Sequence, residues 1–428
     1  MSIIRADAAG CISLALALLT LALPQPAAAE RIVPSANVHR LGASQAGSQS
    51  APQVAPFGGN GSIITWLSPG GASQHAYVGY FSLFGDPRGL PLKLDFADGP
   101  TSGANALSAA PVSFADGSAS IFFAAPPRDG AGSAKQDIFL QRMSAFRDKV
   151  GSPIRINQTV PNIQRQILAT RLSSGNVLVS WATTASGASA FNLRGRVLRP
   201  TGIGVANEQA ITRTSGLPQT ATGLAALTNG NSVIAYFIRS GSGASAKQSA
   251  YIQRLSPTGT RLGDPVLIKQ TTGPNTYGGV GVAALPGGRY MALWLAPATA
   301  GNAALKRQIF QANGTKGPVA NVATGKVKAT SQNAPKAIAS EDGVMVALDS
   351  FAGGTYSVTA LLLGNGGALL AAPYDLGVGT NALVTTALSF SPASDGYVAT
   401  WTQTLAGSQS VRSFAREFYV SAGCTVKC

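Results

Sequence analysis

Histidine is nearly missing: the chain has two, His39 and His75, in 428 residues. Histidine is the commonest acid–base side chain. His39 falls in the first strand-like segment and His75 in what reads as the first long loop, so they are not placed to share a site. No G-x-S-x-G elbow accompanies them, and nothing points to a nucleophile with an adjacent histidine base. Charged residues are also few, 11% of the chain against 45% hydrophobic, a balance that excludes wholesale disorder. Glycine (50) and proline (25) stay well below a collagen-like or low-complexity share. Long apolar runs are missing. The run Cys11–Leu23 has 13 residues, and no later stretch reaches the roughly 18 that a membrane helix needs. No sustained period of 3.6 follows, so helices are not expected beyond residue 30.

The short run has another reading. Arg5 precedes it, Pro24 ends it, and Ala27–Ala29 offers an A-x-A cleavage site before Glu30. Residues 1–29 are therefore expected to be a secretory signal peptide and residues 30–428 the mature domain, periplasmic or extracellular. Cys11 stands before the apolar run rather than after it, which argues against a lipoprotein. Cys424 and Cys428 are then the remaining cysteines. A zinc site needs four ligands, and neither histidine is near in sequence. In an oxidising compartment the pair is expected to form a small disulfide loop. No metal or cofactor is expected.

What the sequence does have is a repeat. A glycine followed by a short apolar strand recurs seven times, at Gly61, Gly117, Gly175, Gly230, Gly288, Gly343 and Gly396. The spacings are 56, 58, 55, 58, 55 and 53 residues. All four tryptophans, Trp66, Trp181, Trp294 and Trp401, fall five or six residues after such a glycine. Phe123, Tyr236 and Leu348 fill that phase in the other units. Each unit reads as four short strands punctuated by Gly, Pro, Asn and Asp. Four strands in about 55 residues is a propeller blade. The expected fold is thus an all-β, seven-bladed β-propeller of four-stranded antiparallel blades. The last unit lacks a fourth strand, while residues 31–40 form a spare one at the other end. The N-terminal strand is expected to close the ring, removing the open edges. An outer-membrane barrel would want longer alternating strands and aromatic girdles, which 7% aromatics do not supply.

These units resemble those of secreted bacterial β-propeller repeat proteins, of the form A-L-x-x-G-G-x-x-V-x-W followed by I-Y-x-Q-R-x-x-x-x-G-x-x-x-G. Here the first half is Ala284–Trp294 (ALPGGRYMALW) and the clearest second half is Ala250–Gly263 (AYIQRLSPTGTRLG). The resemblance covers residues 31–423. It implies a scaffold fold rather than an activity. WD dipeptides, Asp-boxes and D-x-D-x-D-G loops are missing, which lowers the case for a glycosidase or a calcium-dependent adhesin.

Candidate chemistry is thin. Asp116, Asp342 and Asp395 recur at the turn between strands 1 and 2, where Asp is expected for turn geometry. Asp129, Asp137 and Asp349 lie in or beside long loops, so a carboxylate pair for glycan cleavage stays open. The tryptophans end the second strand and are expected in the core between blades. Arg142, Arg196 and Arg254 share one repeat position, expected to be framework or a solvated strand face.

Charge has one sign. The net charge is +15, and the stretches 149–207 and 265–340 contain no acid. In a propeller the loops between strands 2 and 3 and those between blades share one face, and here they are the longer ones. Assigned to that face are Arg128, Lys135, Arg165, Arg213, Arg239, Lys247, Lys269, Lys306, Lys326 and Lys328, against Asp98, Asp129, Asp137 and Asp349. Of these, Arg128, Lys135, Arg165, Arg239, Lys247, Lys306, Lys326 and Lys328 are the candidate binding residues. A basic face steers anionic partners, with an anionic polysaccharide, a lipid head group or a protein surface as the partner classes. Sequence-specific nucleic-acid binding is not expected, since no recognition motif is present and loop aromatics are few. The reading is an exported, non-catalytic binding module. The alternatives are a carbohydrate-active enzyme, lyase or hydrolase, and a structural envelope component.

Overall fold

A computed structural model describes residues 30–35, 37–42, 47–58, 61–70, 73–82, 84–94, 108–126, 136–159, 162–185, 191–213, 216–241, 243–273, 279–297, 303–322, 333–352, 354–381, 383–392, 395–404 and 410–421. The chain forms seven separate antiparallel sheets in a ring, a seven-bladed β-propeller. Blade 1 is Ser50–Pro56, Gly61–Gly70, Ser73–Ser82 and Leu92–Lys93. Blade 2 is Ser108–Ser113, Ala119–Ala125, Asp137–Met143 and Lys149–Arg155. Blade 3 is Asn162–Arg171, Val177–Ala185, Asn192–Leu198 and Gln209–Ala210. Blade 4 is Gln219–Ala226, Ser232–Ser240, Lys247–Leu255 and Arg261–Thr272. Blade 5 is Gly281–Ala284, Tyr290–Pro297, Ala303–Phe310 and Lys316–Asn321. Blade 6 is Lys336–Ala339, Val344–Ala352, Thr355–Leu363 and Leu369–Gly379. Blade 7 is Leu383–Ser391, Gly396–Thr404 and Val411–Ser421.

The fourth strand of blade 7 comes from the N-terminal segment, as the repeat count requires. Arg31–Pro34 and His39–Arg40 both pair antiparallel with Val411–Ser421. Ser35 N donates to Glu417 O at 2.8 Å and Leu41 N to Ser413 O at 2.9 Å. The chain then crosses the long-loop face, where Gln49 N donates to Val411 O at 2.8 Å, and enters blade 1.

The repeat glycines do two jobs. Gly175 takes φ of 81° in the turn between strands 1 and 2, a left-handed conformation that costs a side-chain-bearing residue. Gly61 has ordinary φ, but a Cβ there would stand 2.1 Å from Phe81 O. The aromatic phase is core, as expected: Trp66, Trp181 and Trp401 are buried, and Trp294 nearly so. Replacing such a side chain by Ala typically costs about 3–5 kcal/mol.

Polar bonds tie neighbouring blades. Thr65 Oγ1 donates to Ala109 O at 3.2 Å, and Thr222 Oγ1 to Val280 O at 2.9 Å. Third-strand arginines cross the seams. Arg254 Nη1 donates to Ala312 O at 2.9 Å and Arg307 Nε to Gly367 O at 3.0 Å, both in the following blade. Arg196 and Arg416 reach back, to Ile156 O at 2.9 Å and Leu376 O at 2.8 Å. Both arginines are framework, but they do not share one position: Arg254 stands opposite Val233, three residues before Tyr236, and Arg196 opposite Val179, two before Trp181, so they reach opposite seams. One loop expectation is corrected: His75 lies in a strand opposite Ser68, because the blade 1 hairpin stays paired as far as Gly70–Ser73.

Candidate binding face and channel mouth

Seven inner strands surround the axis, and small apolar residues such as Ala110, Ala169, Val282 and Ala337 line it. Side chains of this size leave cavities of about 550 Å³ and about 150 Å³ along the channel. At the long-loop end the lining changes. A cavity of about 370 Å³ is bordered by Thr220, Thr222, Arg239, Gln248, Asn333 and Lys336.

Lys336 is the first residue of the inner strand of blade 6 and borders both that cavity and the axial one. Burial holds its ammonium below the ordinary lysine range, and the neighbouring Asp349 carboxylate opposes the shift. Asp349 is itself buried and committed. Its carboxylate accepts from Thr385 N at 2.6 Å and from Asn333 Nδ2 at 2.9 Å. Lys269 is a second desolvated cation, its ammonium pushed down to about 8 by burial. It donates to Leu295 O of blade 5 at 3.2 Å.

The sequence-expected basic residues divide into groups. Arg239 ends the second strand of blade 4 and is exposed at the cavity rim. Lys247 opens the next strand, exposed, opposite Ser240. Arg239 and Lys336 come together on one side of the channel mouth, and Lys247 starts the strand whose next residue, Gln248, borders the same cavity. Arg165 lies in the inner strand of blade 3, not a loop, with its guanidinium 3.5 Å from the centroid of the Phe191 ring. Desolvation lowers its pKa, and its Nε is buried without an acceptor among the described residues. Lys306 stands mid-strand opposite Trp294 and is half-buried. Its assignment to a loop on the basic face is therefore corrected. The regular hairpin of blade 5 continues past it to Ala303–Pro297. Arg213 is paired with Asp264. Arg128, Lys135, Lys326 and Lys328 lie outside the described residues, as do Cys424 and Cys428.

The carboxylates proposed as a cleavage pair do not meet. Asp137 belongs to blade 2, where it accepts from Asn157 Nδ2 at 2.8 Å, and Asp349 belongs to blade 6. Asp129 lies outside the described residues. Asp116 is a turn residue, as expected. Its carboxylate accepts from Ser118 N at 2.9 Å and Ser118 Oγ at 2.6 Å, bonds that lower its pKa.

Sequence reasoning missed two residues. Lys336 sits within the acid-free stretch, but a four-residue strand does not disclose which residue reaches the axis. Glu417 lies in the third strand of blade 7, whose alternation does not disclose what blade 1 sets against it.

No protein-family model matches the chain. A search of curated proteins returns no relative. Solved structures do match. The polysaccharide lyase Uly1 superposes with a TM-score of 0.51 at 9% identity, covering 88% of this chain and 90% of that one. The alpha-L-arabinofuranosidase Arb93A of Fusarium graminearum gives 0.45 at 12% identity, covering 78% and 96%. The β-propeller domain of the Trilobed protease of Pyrococcus furiosus gives 0.44 at 10%, covering 86% and 95%. At 9% identity the likeness to the lyase shows the propeller fold alone.

Proposed function

We propose that the protein is an exported, non-catalytic binding module whose ligand is anionic and docks at the long-loop mouth of the channel. The observation that carries this reading is the meeting of Lys336 and Arg239 around a cavity of about 370 Å³. Lys336 is a desolvated ammonium that an incoming anion would stabilise. The rest of the +15 charge adds long-range attraction. An acidic polysaccharide is the first ligand to try. One propeller neighbour is named as a polysaccharide lyase, although a fold by itself carries no activity.

The test is retention on a dextran sulfate column across a salt gradient. Replacing Arg165, Arg239, Lys247 and Lys336 by Gln removes four positive charges from the long-loop side. Replacing Arg88, Lys149, Arg261 and Lys316 removes the same charge from the short-turn face. The first variant is expected to elute at clearly lower salt than the second. Equal losses would mean that net charge alone is read, with no dedicated site. Release of unsaturated or reducing ends from an acidic glycan would overturn the non-catalytic part. Export is checked separately, by the N-terminal residue of the secreted protein, expected to be Glu30.

A further inference from the structure

The seam between blades 7 and 1 differs from the seam between blades 4 and 5. In blade 4, Val233 stands three residues before the aromatic-phase residue Tyr236, and Arg254 pairs opposite it. Arg254 bonds across the seam to Ala312 O. In blade 7, Val398 stands three residues before Trp401, and Glu417 pairs opposite it. An acid thus occupies the position from which blade 4 sends its cation across. At that position, instead of a polar staple, this seam holds a cavity of about 530 Å³.

Pro34, Phe84, Val398, Glu417 and Tyr419 line that cavity, and its walls are mostly apolar. Glu417 is only 7% exposed, and its Oε2 has no hydrogen-bond partner among the described residues. An unpartnered carboxylate oxygen in an apolar wall is costly unless something satisfies it. Phe84 stands at the rim, 72% exposed, on the blade 1 connection that the His39 ring contacts through Phe84 O at 3.1 Å. An apolar body with a positive head fits both features, because aromatic faces and a carboxylate each favour a cation.

We propose that this seam is a binding site for an organic cation, an ammonium carried on an apolar body, with the Glu417 carboxylate as its counter-ion. Among the described residues, no cation is placed to fill the role. Arg416, the neighbour of Glu417, is directed to Ser35 O and Leu376 O. The charged group that acts on Glu417 from blade 1 is Asp86, which adds negative charge. Burial, with Asp86 assisting, pushes the Glu417 carboxyl up to about 8. The empty site is therefore mostly protonated at neutral pH. A quaternary ammonium that enters converts the carboxylic acid to carboxylate, and the proton leaves to solvent.

The probe is benzyltrimethylammonium, which has no proton of its own, with benzyl alcohol as the uncharged analogue. Calorimetry at pH 7 in two buffers of different ionisation heat counts protons. The protein is expected to bind the cation at least tenfold more tightly than the alcohol and to release close to one proton per ligand. Release should vanish at pH 10, where the carboxyl is already ionised. Glu417→Gln, nearly isosteric, should lose at least tenfold in affinity and all proton release. Phe84→Ser, at an exposed position, should weaken binding several-fold and keep the release. Cooperative melts for both variants show that they fold. Equal binding of cation and alcohol, or cation binding that survives Glu417→Gln, would overturn the proposal.

Discussion

The seam between blades 4 and 5 and the seam between blades 7 and 1 are built on the same backbone plan and hold opposite chemistry. In the first, Arg254 donates to a carbonyl of the next blade and Lys269 donates to Leu295 O. Both bonds satisfy acceptors that the strand ladders leave over. In the second, Glu417 faces a cavity, and its Oε2 has no donor among the described residues. The difference teaches where a repeat protein has freedom. Interior seams join blades made of consecutive chain and serve to hold the ring. The closing seam joins a blade made from the N-terminal segment and the last unit to blade 1, and it carries an acid where blade 4 carries an arginine.

The comparison breaks most severely if the closing strand is removed. Deleting residues 30–41 strips Val411–Ser421 of its partner strand and exposes the blade 7 edge. The loss of stability should exceed the about 3–5 kcal/mol expected for Trp181→Ala at a buried core position. Thermal melts of the two variants side by side decide this. An unchanged melt for the deletion would mean that the ring does not depend on closure.

The next effect is a pH dependence specific to the closing seam. Glu417 binds its proton up to about 8 in the folded state, against an ordinary value of 4.5. Between those values the folded protein holds more protons than the unfolded chain, so stability falls as pH rises through that window. Glu417→Gln removes this fall. The variant should match the parent below pH 4 and exceed it at pH 9 by on the order of 2 kcal/mol or more. Denaturant unfolding at both pH values measures it. The matching change in the stapled seam has the opposite sign at every pH. Arg254→Ala leaves Ala312 O without its donor and should destabilise by about 1–3 kcal/mol. The smallest effect is expected at the C-terminal pair. Replacing Cys424 and Cys428 by Ser should shift the melt by only a few degrees, because so short a loop constrains the unfolded chain little. Thiol counting on the denatured, unreduced parent tests whether the bond exists.

The ring was legible because its signals are local. Gly175 marks a turn, and Trp181 six residues later is buried in the middle of the next strand rather than at its end, because the strand continues to Ala185. The missing strand in blade 7 and the spare one at residues 31–40 followed from counting. The candidate site was legible in part. Arg239 and Lys247 lie within the strands that flank the loop between strands 2 and 3 of blade 4 rather than in the loop itself. Lys306 and His75 were assigned to loops because small and polar residues around them mimic turn composition. Both hairpins continue through those residues, since a ladder tolerates Ala, Ser and Gln where cross-strand pairing holds them.

The sequence by itself determined the number of blades, their order and the core phase. Turn glycines, strand alternation and buried aromatics act over a few residues. Only the tertiary structure decided which polar groups meet. Thr385 N reaches Asp349 across 36 positions, Arg254 reaches Ala312 across 58, and Ser35 O receives Arg416 across 381. Strand pattern shows which residues face a neighbouring blade, but not what that blade presents in return. That depends on the angle at which the closed ring sets each pair of sheets. Lys336 at the channel mouth and Glu417 in the closing seam therefore became visible only once the ring was built.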